Sequence, residues 1–213
     1  MRKFFKVVGI LFSAVIVLIL IGVAYFNSTY PKVGPAPNVK FEHTKERIER
    51  GKYLANHVTG CIDCHSTRDW AAFTAPLVPG TEGKGGMRYD KMLGIPGTVY
   101  ARNLTPANLG SWTDGEIMRA ITSGVSKDGH VLFPLMPYQK FNSLSQEDLY
   151  SIIAYIRTLP AIKNDVPESS VDFPVSMMMK MAPQPYEPKK TPDPNNPKEW
   201  GKYLVTIGGC EDC

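Results

Sequence analysis

A chain of 213 residues, 43% hydrophobic and 21% charged, has room for one ordinary domain with attachments, and eighteen glycines with eighteen prolines point to a loop-rich architecture. Three of its 24 basic residues, Arg2, Lys3 and Lys6, precede the first apolar run and no acid does, which leaves 21 basic against 20 acidic residues beyond it. A net of +1 over that portion lacks the basic footprint that a nucleic-acid partner requires, so no nucleic acid is expected.

The first element is VVGILFSAVIVLILIGVAYF, Val7 to Phe26, twenty residues without a charge and long enough to span about 30 Å of hydrocarbon. The rival reading is a cleaved secretory signal, whose apolar part usually runs about 7–15 residues and ends at a small-x-small site. Ala24-Tyr25-Phe26-Asn27 is a poor cleavage site. Residues 1–30 are therefore expected to be an uncleaved, single-pass anchor in the cytoplasmic (inner) membrane. Its basic end faces the cytoplasm, and the remainder, after a linker over 31–42, lies on the periplasmic or exported side.

A first helix is expected between Thr44 and His57, with Ile48, Gly51, Ala55 and Val58 near one face and the two small residues leaving room for a second helix. It leads into CIDCH, Cys61 to His65. Exported Cys-x-x-Cys pairs can be disulfides, redox dithiols or half of a zinc site. The other histidines, His43, His57 and His130, have no zinc-ligand spacing to Cys61 and Cys64, and no buried strand precedes the pair as a thioredoxin-like centre would need. The adjacent His65 makes the stretch a C-x-x-C-H signal for covalent haem. Two thiols add to the vinyl groups and the imidazole becomes an axial iron ligand.

A Gly- and Pro-rich insert, Thr74 to Gly97, follows; it reads either as a shield or docking surface or as a surface excursion. Thr113-Asp114-Gly115-Glu116 is a capping box opening a second helix that ends at Gly124, with Met118 as core filling. In VLFPLMPYQKF, Met136 stands between Pro134 and Pro137, which stiffen the loop, and is the expected sixth ligand. His130 is its rival, and Met87 and Met92 of the insert are weaker ones. Ser145-Gln146-Glu147-Asp148 reads as another box, opening a third helix with Leu149, Ile152, Ile153 and Ile156 on one face before Pro160. The first and third helices are expected to cross at Gly51.

CIDCH, GTVYARNLTP (Gly97 to Pro106), SWTDGEI (Ser111 to Ile117), LFPLMPY and DLYSIIAYIRTLP (Asp148 to Pro160) occur in the order seen in class I c-type cytochromes. The chain resembles the membrane-anchored, multi-haem type, similar to the cytochrome c subunit of quinoprotein alcohol dehydrogenases, over about Glu42 to Ile162. The resemblance implies an all-α class I cytochrome c domain, residues 43–163, behind a single N-terminal transmembrane helix. It implies haem c held covalently by Cys61 and Cys64, with His65 as proximal and Met136 as distal iron ligand. It also suggests that Tyr100, Arg102, Asn103 and Trp112 surround the haem edge and propionates; their other reading is as ordinary loop and core residues.

Residues 164–200 hold eight prolines without helical period and read as an interdomain linker. Met177, Met178, Met179 and Met181 within it have no accompanying His or Cys. They read as an apolar patch for the haem domain or the membrane face rather than a soft-metal site. GKYLVTIGGCEDC, Gly201 to Cys213, repeats GKYLANHVTGCIDCH at a spacing shorter by one residue. Residues 201–213 are thus expected to begin a second cytochrome c domain, truncated before its histidine, with Cys210 and Cys213 as a second haem attachment. As it stands the chain would carry one haem. The expected function is single-electron transfer, as a carrier rather than an enzyme, between an exported dehydrogenase or quinol-oxidising complex and a terminal acceptor such as a terminal oxidase. The alternative is a peroxidase-like haem enzyme or a gas sensor with an open sixth position.

Overall fold

The computed structural model describes residues 1–212. Helix α1 (Arg2–Thr29) is the one helix among them long and apolar enough to cross a membrane, and none of its residues is buried. α2 (Lys45–Tyr53) starts where Thr44 Oγ1 accepts the Arg47 N–H, and it runs into a π turn, Leu54–Val58. Gly60, left-handed at φ 62°, turns the chain into the single helical turn α3 (Cys61–Cys64). Then come strands β1 (Arg88–Asp90) and β2 (Gly97–Tyr100), and helices α4 (Pro106–Leu109), α5 (Asp114–Ser123), α6 (Tyr138–Phe141) and α7 (Gln146–Arg157). Strand β3 (Ser170–Val171) and helices α8 (Val175–Met178) and α9 (Pro197–Ile207) complete the order.

The core is helical. Leu149, Ile152, Ile153 and Ile156 of α7 are buried with Leu54, Ile117, Met118, Ile121 and Phe141, and each such side chain stabilises the fold by about 1.5–3 kcal/mol. α2 and α7 cross at Gly51, as its size predicts. A Cβ there would overlap the Ser151 carbonyl oxygen and stand 2.9 Å from Tyr155 Cβ. Beside the crossing, Arg50 grips the buried Asp148 with two bonds of 2.9 and 3.1 Å, and the Tyr203 hydroxyl donates to the same carboxylate at 2.8 Å. α9 enters the core through Tyr203 and Ile207.

Two local expectations change. The Thr113 capping box is complete, but at Ser145 only half forms: Ser145 Oγ accepts the Asp148 N–H, while the Asp148 carboxylate is taken by Arg50 and Tyr203. Nor is the domain purely helical. β1, β2 and β3 form an antiparallel sheet with Tyr89 opposite Val99 and Gly97 opposite Val171. Its strands are two to four residues long, too short for alternation to show in sequence. β3 belongs to the proline-rich segment, which is bonded to the domain at several further points. The Tyr186 hydroxyl donates to Leu144 O at 3.0 Å, the Gln146 N–H to Lys189 O at 2.9 Å, and Thr191 Oγ1 to Ser145 Oγ at 2.9 Å.

Candidate haem site

The site begins in backbone geometry. The π turn closes with the Thr59 N–H on Leu54 O at 2.9 Å, and α3 then carries Cys61 and Cys64 three residues apart, on one side of a single turn. Ile62, fully buried between them, fixes the turn to the core. Both thiols are free. Cys61 is half-buried against the core and Cys64 is exposed. Burial pushes the Cys61 thiol up to about 11, against the opposing pull of its Thr59 hydrogen bond. Asp63, between the cysteines, pairs with Arg68 at 3.1 Å, and Arg68 also donates to Ala75 O at 2.7 Å, clipping the start of the insert to the turn.

His65 caps α3, and its Nδ1 lies 2.6 Å from the Arg102 carbonyl oxygen. A carbonyl can only accept, so the ring donates from Nδ1 and keeps its lone pair on Nε2. Burial holds the imidazole below its ordinary pKa, with the Arg102 carbonyl acting the other way. The insert is built into this arrangement. The Gly85 N–H donates to His65 O at 2.7 Å, the Gly83 N–H to Ser66 Oγ at 3.0 Å, and the Leu104 N–H to Gly83 O at 2.7 Å. Gly85 has φ +74°, and a Cβ on it would stand 2.6 Å from Arg102 C and Asn103 N. The insert therefore threads between His65 and the Arg102–Asn103 loop.

Tyr89 of β1 donates to Met87 Sδ at 2.7 Å and interacts with the Cys64 thiol; burial and Cys64 both push its hydroxyl pKa up. Sequence reasoning missed Tyr89 and Gly85. The dense glycines of GKGG, Gly83 to Gly86, were the available signal.

The other expected residues divide. The Arg102 guanidinium donates to Pro167 O at 2.8 Å, so its backbone serves His65 while its side chain holds the proline-rich segment. Asn103 is buried; its Nδ2 donates to Ile162 O at 2.8 Å and its Oδ1 accepts from the Thr105 N–H and hydroxyl. Tyr100 ends β2, its N–H on Ser169 Oγ at 3.0 Å. Trp112 packs against the core, and its carbonyl accepts from Arg157. Met136 is half-buried against the core in a tight turn closed by the Tyr138 N–H on Met136 O at 2.7 Å. Tyr138 is buried over Gly124 with its hydroxyl unpartnered.

Its rivals are engaged or outside: His130 pairs on the surface with Asp128 at 2.7 Å, Met87 accepts from Tyr89, and Met92 is 93% exposed. Met118 lies in the core. Cys210 is a free, exposed thiol on a 3-10 turn, and Cys213 lies outside the described residues.

The donor set suits covalent haem. Two free thiols share a turn, a neutral imidazole is oriented through its second nitrogen, and a soft thioether stands on a proline-stiffened loop. Such a donor set is the one that a c-type cytochrome uses.

Comparison with known proteins gives the same class. The chain is 31% identical over 182 residues to the cytochrome c subunit of alcohol dehydrogenase (quinone) from Gluconobacter oxydans, covering 78% of this chain and 34% of that one. It is 27% identical over 180 residues to the gluconate 2-dehydrogenase cytochrome c subunit of Pantoea cypripedii, covering 78% and 37%. To the fructose dehydrogenase cytochrome subunit of Gluconobacter japonicus it is 29% identical over 178 residues, covering 78% and 34%. No protein-family model matches. The chain is thus a relative of the cytochrome c subunits of dehydrogenases, and it spans little more than a third of the length of those just named.

Proposed function

We propose that this chain is a membrane-tethered cytochrome c that takes single electrons from an exported dehydrogenase or quinol-oxidising complex and passes them to a terminal acceptor such as a terminal oxidase. Bound haem c supplies a one-electron iron couple. Cys61 and Cys64 would hold the group covalently, and His65 and Met136 would ligate its iron. Arg102, through its carbonyl, holds the imidazole in the ligating tautomer. Ile62 and the core behind α3 exclude water, and Tyr89 stands beside Cys64. α1 is the uncleaved anchor, with the domain on the exported side.

The observation that carries this reading is the 2.6 Å contact of His65 Nδ1 with Arg102 O, at the end of a turn bearing two free thiols. It supports a ligand whose orientation is set before the group arrives. The proteins similar to this chain, cytochrome subunits of dehydrogenases by name, support the dehydrogenase as donor.

The test is the ferric optical spectrum of the full chain, made with the haem-attachment machinery. A low-spin spectrum with a sulfur-to-iron charge-transfer band that Met136→Ala abolishes, while haem stays attached, is expected. A high-spin spectrum before mutation would replace the carrier with a haem enzyme or gas sensor. An unchanged spectrum in Met136→Ala would remove Met136 from the ligand set.

A further inference from the structure

Apart from α1, an apolar stretch with exposed side chains follows β3. From Phe173 to Met181 the chain reads FPVSMMMKM, and no acid occurs between Asp172 and Glu187. α8 and the 3-10 turn Met179–Met181 wind it into a hook. The hook leaves Phe173 79%, Met178 56% and Met181 45% exposed.

Two sets of contacts fix the hook relative to α1. Lys180 Nζ donates to Asn27 Oδ1, in the last turn of α1, at 2.8 Å. The residues joining α1 to α2 are also pinned to the domain. Pro37 O lies so close to Gly115 that no Cβ fits there, the Arg119 guanidinium donates to Gly34 O at 3.4 Å, and Val39 and Phe41 pack on the core.

A helix that spans a bilayer ends at the headgroup level. A side chain bonded to its last turn is at that level too, and so are the methionines on either side of Lys180.

The geometry points to the Phe173–Met181 hook as an interfacial lipid-binding element. Its Phe and Met side chains enter the headgroup–acyl boundary of the bilayer that α1 crosses. This rests on the reading of α1 as an uncleaved anchor.

The chemistry suits lipid. Unbranched thioethers adapt to a fluid apolar surface, Lys180 reaches the phosphate layer by its long stem, and the absence of acids removes repulsion from anionic headgroups. With α1 and the hook both engaged, the domain would lie on the membrane in one orientation.

The experiment uses the full haem-loaded chain in phosphatidylcholine vesicles doped with a phosphatidylcholine whose acyl chain carries a diazirine near the headgroup. After photolysis the labelled peptides are mapped by mass spectrometry. Label on α1 and on the 173–181 peptide is expected, with at least a tenfold loss at the hook, and none at α1, in the double variant Phe173→Asp, Met178→Asp. Phe73, 99% exposed between α3 and β1, should stay unlabelled. Label confined to α1, or equal label at Phe73, overturns the hook while leaving the anchor standing. Absence of label on α1 overturns both.

Discussion

Gly51 and Gly201 occupy the same place in the two GKYL repeats, yet alanine should act on them in opposite directions. At Gly51 the new methyl would overlap the Ser151 carbonyl and press on Tyr155. An ordinary C···O separation requires α2 and α7 to part by roughly 1.5 Å. That costs about 1–3 kcal/mol as overpacking. It also stretches the 2.9 and 3.1 Å bonds between Arg50 and Asp148, at about a further 2 kcal/mol, against a gain of about 1 kcal/mol in helix propensity. The net is about 3 kcal/mol, or roughly 6–12 °C in Tm for a chain of this size. At Gly201 nothing lies within 4 Å of the added methyl, so only the propensity gain of up to about 1 kcal/mol remains. Thermal unfolding of the detergent-solubilised, haem-loaded variants by far-ultraviolet circular dichroism reads both. A Gly51→Ala Tm within 1 °C of the parent, or a Gly201→Ala fall as large as that at Gly51, would refute the reasoning.

Gly85→Ala should displace the Arg102 carbonyl from His65, costing about 2 kcal/mol and making the imidazole a poorer electron donor, so the midpoint potential should rise by tens of millivolts. A redox titration showing no change would mean that the carbonyl had not moved. Asp148→Asn leaves Arg50 and Tyr203 facing a weaker acceptor and should cost about 2–3 kcal/mol in urea titrations. Glu147→Gln, at the exposed pair with Arg47, should stay within about 0.5 kcal/mol. Burial raises the Tyr203 hydroxyl pKa above its ordinary 10.0, with the Ser145 bonds opposing and Asp148 reinforcing. The folded state then keeps a proton that the unfolded chain releases, so this contribution is present below pH 10 and lost as pH rises beyond it. Urea midpoints compared at pH 9 and 11 should fall less in Tyr203→Phe than in the parent, and an equal fall would count against it.

What the sequence made legible was local or repeated. The Thr113 cap needed only four residues, the burial of α7 only its period, and the crossing at Gly51 only the smallest residue on a helical face. What it hid depended on partners far along the chain. Asp148 looks like half of a capping box until Arg50, 98 residues earlier, and Tyr203, 55 later, take its carboxylate. Tyr89 looks like any aromatic of a loop until β1 brings it to Cys64. Positive φ at Gly83, Gly85 and Gly86 converts a glycine-rich excursion into a loop pressed against the histidine, and no periodicity announces that. Outside α8 and the turn that follows it, the proline-rich segment has no period because it touches the domain through isolated carbonyls and hydroxyls.

That segment has a consequence for timing. A flexible chain of its length would let whatever it carries wander over about 30 Å. Pinned at β3, Tyr186, Lys189 and Thr191, it carries Cys210 on a fixed arm, with Lys140 bonded to Glu211 at 3.2 Å beside it. Electron hopping between centres slows steeply with separation, so a leash would average fast and slow geometries. A fixed arm would give a single rate to any electron transfer between α3 and a group held at Cys210.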